Sequence, residues 1–66
     1  MSSIEDTRII IEFVRVGAYV KVSAIDPVTR VEVSIVGDPA KSEATLERAA
    51  VKKLDFVLTK KGLKNR

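Results

Sequence analysis

The first half of the chain alternates apolar and polar side chains with a period of two, which is typical of β-strands. The alternation covers three segments, residues 8–16, 19–25 and 31–36. A Gly-Ala pair separates the first two segments, and a stretch that contains Asp26 and Pro27 separates the second from the third. Because connections this short join antiparallel strands, the pattern predicts a three-stranded meander.

The second half of the chain carries one long helical pattern, from residue 42 to residue 61. Apolar side chains recur there three and four positions apart and form a central stripe on one face of a helix. Inward-facing strand residues complete the core that this stripe would cover. The predicted core is Ile11, Phe13, Val20, Val22, Val33, Ile35, Leu46, Ala50, Leu54 and Val57. The predicted fold class is α+β: a three-stranded antiparallel meander followed by one long C-terminal helix (β-β-β-α).

Both ends of the predicted helix have sequence signals. Ser42 is a good N-cap, whereas Asp38 followed by Pro39 would start the helix one turn earlier, so the sequence leaves both starts open. Gly62 suits the C′ position that ends a helix. The helix is therefore expected to begin at residue 38 or 42 and to end at residue 61.

Two features of the pattern predict that a partner covers part of the apolar surface. The apolar arc of the helix is wider than the roughly 100° that one sheet face hides. In the first strand the apolar positions move from odd to even numbers at Val14, so either a β-bulge lies near Phe13 and Val14 or both faces are buried. The predicted interface residues are Val51, Phe56, Leu58, Val14 and Val16.

The length and composition of the chain favour the same conclusion. Its 66 residues predict a single small domain over residues 1–66, with residues 1–7 and 63–66 frayed. A core this small gives marginal stability, and without Cys or His the chain has no disulfide or zinc site to reinforce it. We therefore expect a homodimer, in which protomers exchange their helices if residues 36–39 act as a hinge. Another protein is the alternative partner, because it would cover the same apolar surplus.

No segment predicts a membrane span or a secretion signal. No unbroken apolar run is longer than three residues, as in residues 9–11, whereas a membrane span requires roughly 20 residues. The lack of cysteine suits a reducing compartment, and we therefore expect a cytoplasmic protein that does not bind membranes.

A set of strand, turn and helix residues matches a pattern that recurs in one known family. These positions are residues 12–17, 20–29 and 32–37 and the helix residues Ala49, Ala50, Lys53, Leu54 and Val57. The chain thereby resembles a family of short alphaproteobacterial proteins of unknown function. The resemblance implies a bacterial cytosolic protein and assigns no activity. The chain departs from that pattern at Arg30, where glycine is expected, so Arg30 must adopt a positive φ or the turn must differ.

The residue types that catalysis requires are scarce in this chain. Without Cys or His, a nucleophile would have to be a Ser or Thr activated by a Lys, and no spacing singles out such a pair. The carboxylates lie near Lys or Arg or belong to turns and helix starts, which is typical of solvated surface. The glycines are isolated, so no phosphate-binding loop is present. We expect no enzyme activity, no metal site and no cofactor.

Nucleic-acid binding is the alternative function, and it is the weaker of the two. Three strands followed by a helix with Lys52 and Lys53 resemble the second half of a double-stranded-RNA-binding domain, but this helix starts with Glu43 and Glu47 instead of lysines. A weak RNA site would use a basic sheet face or the basic C-terminus of the helix. Its candidate residues are Arg15, Tyr19, Lys21, Arg30, Lys52, Lys53, Lys60 and Lys61.

Overall fold

Three strands and one helix make up the part of the chain that the computed structural model describes, residues 9–63. The elements are β1 (Ile10–Val16), β2 (Tyr19–Ile25), β3 (Glu32–Gly37) and α1 (Glu43–Lys60). The strands form one antiparallel sheet in the order β1-β2-β3. The predicted β-β-β-α meander is confirmed, with boundaries that shift by one or two residues. The predicted frayed segment 1–7 and most of 63–66 lie outside the described residues.

The β1–β2 hairpin has a continuous register. Pairing runs without a slip from Val16 opposite Tyr19 to Ile10 opposite Ile25. The turn places Gly17 at a φ of 57°, while Ala18 keeps a negative φ, as a type II′ hairpin turn requires. The predicted bulge near Phe13 and Val14 is therefore wrong. The apolar residues of β1 move from odd to even positions because the strand carries apolar side chains on both faces of the sheet.

The β2–β3 connection is held by Asp26. Its carboxylate accepts hydrogen bonds from the Val28 N–H at 3.0 Å and from the Thr29 hydroxyl at 2.9 Å, so this mostly buried group has its partners within its own turn. Arg30 has a φ of 69° and donates its N–H to the Asp26 carbonyl at 2.7 Å. Of the two alternatives that the sequence left open, Arg30 adopts the positive φ, at the conformational cost that a non-glycine residue pays there.

Ser42 starts the helix, and Asp38 belongs to a separate turn. The Ser42 hydroxyl oxygen accepts the Thr45 N–H at 3.1 Å, which satisfies one of the free donors of the first helical turn. Asp38 accepts the Ala40 N–H on its carboxylate and the Lys41 N–H on its carbonyl, both at 2.9 Å. The alternative of an earlier helix start at Asp38 is therefore wrong.

The helix ends in a Schellman motif. Gly62 has a φ of 72° and donates its N–H to the Thr59 carbonyl at 3.1 Å. Leu63 donates its N–H to the Leu58 carbonyl at 2.9 Å. These two bonds satisfy carbonyls that have no partner inside the helix, and they confirm Gly62 as the C′ residue.

The core lies between α1 and the two strands β2 and β3. Leu54, Val22, Ala24 and Ala50 are almost fully inaccessible at its centre. The buried apolar residues are Val20, Val22, Ala24, Val33, Leu46, Ala50, Leu54 and Leu58. Four predicted core residues are only partly buried and pack against this cluster; they are Ile11, Phe13, Ile35 and Val57.

Leu58 corrects the predicted face of the helix. We expected Val57 in the core and Leu58 in the interface, but Leu58 is 7% exposed and Val57 is only partly buried. The buried positions follow one row of residues spaced by four, from Leu46 to Leu58. Such rows are inclined to the helix axis, so a helix that crosses its sheet obliquely buries the row and not the axial stripe. Over residues 9–63, the structure contains no helix that could span a membrane.

Candidate protein-interaction surface

The structure divides the predicted interface residues between opposite sides of the domain. Val14 and Val16 are 50% and 38% exposed on the sheet face that the helix does not cover. Phe56 is 62% exposed on the helix, and Val51 is partly buried there. Leu58 lies in the core, so it offers no surface to a partner in this arrangement. The five predicted residues therefore do not form one continuous patch.

The face of the sheet opposite the helix, called here the outer face, is apolar at both of its ends. At one end Val16 lies opposite Tyr19, and at the other end Ile10 lies opposite Ile25. Between them the Ser23 and Ser34 hydroxyls share a hydrogen bond of 3.0 Å. The exposed apolar residues of this face are Ile10, Val14, Val16, Tyr19 and Val36.

The inner face of β1 is also incompletely covered. Ile11 and Phe13 lie opposite Ala24 and Val22, so they point to the same side of the sheet as the core. The helix packs mainly on β2 and β3, and β1 lies beside it at the sheet edge. Ile11 and Phe13 are consequently only partly buried, although their neighbours on β2 are almost inaccessible. β1 thus has apolar surface on both faces.

The backbone of β1 also presents an open edge. In a two-residue hairpin the flanking pair, Val16 and Tyr19, forms hydrogen bonds, and bonded pairs then recur at every second residue. The odd-numbered residues of β1 therefore direct their N–H and C=O groups away from β2. At the end of this edge the Arg15 guanidinium donates to the Gly17 carbonyl at 3.0 Å. Within residues 9–63, no hydrogen bond reaches the outward groups of Ile11 and Phe13.

The opposite edge of the sheet, formed by β3, carries a lysine at its middle carbonyl. Asp26 donates its N–H to the Val31 carbonyl at 2.9 Å, and by alternation the even-numbered residues of β3 point outward. The Lys53 ammonium reaches across from α1 and donates to the outward carbonyl of Ser34 at 2.9 Å. A lysine over an edge carbonyl hinders the pairing of a further strand.

The residues predicted for nucleic-acid binding are dispersed. Tyr19 and Lys21 lie on the outer face, Arg15 lies at the β1 edge, and Arg30 lies in the β2–β3 turn at the far end of β2. On the helix, the Lys53 ammonium already donates a hydrogen bond to the Ser34 carbonyl, and the Lys60 ammonium lies 5.8 Å from the centre of the Phe56 ring. The other two candidates, Lys52 and Lys61, are exposed on α1 and at its C-cap. The geometry does not gather these residues into one basic patch.

No metal cluster or enclosed catalytic pocket stands out in the described part of the chain. Residues 9–63 contain no group of three or more Asp, Glu, His or Cys side chains that would hold a metal ion. A shallow, open depression along α1 is lined by Ala44, Glu47, Arg48 and Val51. All four lie on one helix, so no second element converges on them as an active site would require.

Comparison with known proteins identifies a family for the chain without a function. No curated protein and no solved structure matches it. One family model does match, over residues 6–61, and its description is Domain of unknown function (DUF6898). The matched segment contains all three strands and the helix. The chain therefore belongs to this family of domains of unknown function.

Proposed function

We propose that this domain is a non-enzymatic, self-associating protein-interaction module, and that it forms a homodimer with β1 at the interface. The observation that carries the proposal is the position of β1, which is apolar on both faces, lies beside the helix and has an open backbone edge. Exposed apolar surface that is concentrated on one element is typical of interaction sites. The lack of His and Cys in the sequence and the absence of a converging polar site within residues 9–63 support a non-enzymatic role.

The helix surface is a weaker candidate for the interface than β1. Phe56 is the large apolar residue exposed there, and the ammonium of Lys60 lies 5.8 Å from its ring centre. Val51 is partly buried, and the charged residues Glu47 and Arg48 lie beside it. A single aromatic residue among charges is common on protein surfaces and needs no partner.

The magnitude of apolar burial indicates a weak dimer. Ile10, Val14 and Val16 are 48%, 50% and 38% exposed. Burying such a side chain completely stabilises by about 1.5–3 kcal/mol, so the exposed parts contribute about 1 kcal/mol each and about 6 kcal/mol in a dimer. The loss of translational and rotational freedom costs about 4–15 kcal/mol. Apolar burial by itself therefore gives little net affinity, and further interactions must contribute.

The proposal includes the place of the protein and the form of the dimer. Its resemblance to short alphaproteobacterial proteins supports a bacterial, cytoplasmic protein. We favour a dimer in which each helix covers its own strands over one in which helices are exchanged. The connection at Asp38 is closed by two hydrogen bonds of 2.9 Å, and a swapped form would have to open that turn.

Sedimentation equilibrium at tens of micromolar tests the proposal. The native chain is expected to give the mass of two chains. The double variant Val14→Ser/Val16→Ser should shift the mass towards one chain, and the matched helix variant Phe56→Gln should leave it unchanged. A single-chain mass for the native protein would refute self-association. Dissociation by Phe56→Gln alone would move the interface to the helix.

A further inference from the structure

We infer that the second copy docks on the open edge of β1, so that two β1 strands pair antiparallel. The two-fold axis passes midway between the two Phe13 residues and is called here the axis at Phe13. The result is a continuous six-stranded sheet with one helix over each outer pair of strands. This inference rests on the proposed self-association and specifies its geometry. It goes beyond apolar contact because it gives the unpaired backbone groups of the edge a partner.

The backbone of β1 is complementary to itself. Ile11, Phe13 and Arg15 direct their N–H and C=O groups towards the open edge, as the hairpin register requires. The axis at Phe13 places Phe13 opposite Phe13 of the second copy and Ile11 opposite its Arg15. Each outward donor then meets an outward acceptor, which is the ordinary antiparallel ladder. The same pairing brings the exposed Ile10 beside Val16 of the second copy on the outer face.

Charge and the length of the paired segment together select this register from its alternatives. Opposite residues in an antiparallel pair share a face, so the two-fold axis must lie midway between two copies of the same residue. An axis at Glu12 would oppose two carboxylates, and an axis at Arg15 would oppose two guanidiniums, which destabilises the pair. An axis at Val14 also separates like charges, but it pairs only residues 12–16. The axis at Phe13 pairs the full length of β1, Ile10–Val16.

The opposite edge explains why two copies close the assembly. Strands that pair at both edges of a sheet would extend into a filament. In this chain the Lys53 ammonium lies over the Ser34 carbonyl at 2.9 Å, which hinders strand pairing at the β3 edge. One open edge for each chain permits one partner, and a two-fold pair uses both open edges. The occupant that this arrangement favours is therefore a second copy of the same chain.

Disulfide trapping between two single-cysteine variants tests the geometry. The chain contains no Cys, so the introduced thiols are the only ones. Ile10→Cys and Val16→Cys replace exposed residues that face each other across the proposed axis. As a non-hydrogen-bonded pair their Cα atoms would lie about 4.5 Å apart, which is within disulfide range. The mixture of both variants is expected to form a disulfide-linked dimer, while each variant alone is not.

The matched control is a mixture of Ile10→Cys with Val36→Cys. Val36 is exposed on the same outer face but lies on β3, so it is remote from Ile10 in an edge-paired dimer. A cross-link in this control, or in Val16→Cys alone, would overturn the inference in favour of face-to-face packing or another register. A two-chain mass without any cross-link in the first mixture would also overturn it and leave self-association standing. A single-chain mass would refute both.

Amide hydrogen exchange of the unmodified protein provides a second measurement that needs no variant. The N–H groups of Ile11, Phe13 and Arg15 are expected to exchange slowly at a concentration that favours the dimer and at least tenfold faster on dilution. The N–H groups of Glu12 and Val14 point to β2 and should change little. Fast exchange of the odd-numbered amides in a confirmed dimer would overturn edge pairing.

Discussion

Leu46 packs directly over Gly37, the last residue of β3. A Cβ atom added at Gly37 would overlap Cδ2 of Leu46, whereas an equivalent atom at Gly17 or Gly62 would meet open space. Leu46 is 6% exposed and belongs to the first turn of α1, so this contact fixes where the helix begins on the sheet. The role of Gly37 is therefore close packing and not an unusual backbone conformation, because its φ is not positive.

Gly37→Ala is expected to destabilise the fold, and a second substitution, Leu46→Ala, should remove that destabilisation. Overpacking costs about 1–3 kcal/mol, whereas alanine in place of glycine gains only about 0.4–1 kcal/mol through the unfolded chain. In a Leu46→Ala background the overlap is gone, so Gly37→Ala becomes neutral or stabilising. A double-mutant cycle by urea unfolding measures the coupling. Additive effects would show that the contact between Gly37 and Leu46 is unimportant.

Leu54 and Phe56 should differ sharply on truncation although both are large and apolar. Leu54 is 1% exposed and Phe56 is 62% exposed. Leu54→Ala is expected to cost about 2–5 kcal/mol, out of a total of about 3–10 kcal/mol for a chain of this size. Phe56→Ala should stay within about 0.5 kcal/mol. Thermal unfolding checks both, because 1 kcal/mol shifts the midpoint by about 4–8 °C. A shift of only a degree or two for Leu54→Ala would contradict its central position.

Signals that act within a few residues allowed much of the fold to be predicted. Ser42 caps the helix start with its own side chain, and Gly62 adopts the left-handed conformation at the helix end. Asp26 closes its turn with bonds to residues two and three positions away. The alternation within β2 predicted which of its side chains face the helix, because apolar residues take one face of the strand with a period of two.

The lateral position of the helix could not be predicted from the sequence. Periodicity identifies the apolar side of a helix but not which strands it covers or at what angle it crosses them. This is why Leu58 was assigned to the interface and why Phe13 was predicted in the core, although it is only partly buried. The same limit applies to the candidate interface. Val14 and Val16 were identified from their parity in β1, but the open edge and the Lys53 contact with Ser34 depend on where the helix lies.

Arg30→Gly is expected to stabilise the fold, because Arg30 holds a φ of 69°. An L-residue with a side chain pays about 1–2 kcal/mol in this region, and glycine loses about 0.5–1 kcal/mol of that gain through its freer unfolded state. The free energy of unfolding should therefore rise by about 0.5–1 kcal/mol, and thermal unfolding should show a higher midpoint. Arg30→Ala is the matched control, since it removes the guanidinium and keeps the strained φ. Equal midpoints for the two variants would show that the side chain matters and not the backbone.

Val14 offers a charge test of the edge-paired dimer that separates assembly from folding. Within one chain Val14 lies opposite Lys21, and in the inferred dimer it also lies opposite Glu12 of the second copy. Val14→Glu adds an attractive pair with Lys21 inside the chain and a repulsive pair with Glu12 across the axis. Val14→Lys does the reverse. The two variants should therefore change folding stability and dimer affinity in opposite directions.

Each opposed pair of like charges in a sheet costs about 0.2–1 kcal/mol, and the two-fold axis doubles the effect. Val14→Glu gains two repulsive pairs across the axis and Val14→Lys gains two attractive ones, so their dimers differ by about 0.8–4 kcal/mol. The dissociation constant of Val14→Glu should therefore lie about fourfold to about 900-fold above that of Val14→Lys, with the larger difference at low salt. Sedimentation measures the affinities, and thermal unfolding of dilute protein measures the folding stabilities. If both variants weakened the dimer equally, the outer face would pack against a partner sheet. If neither changed the association, β1 would lie outside the interface.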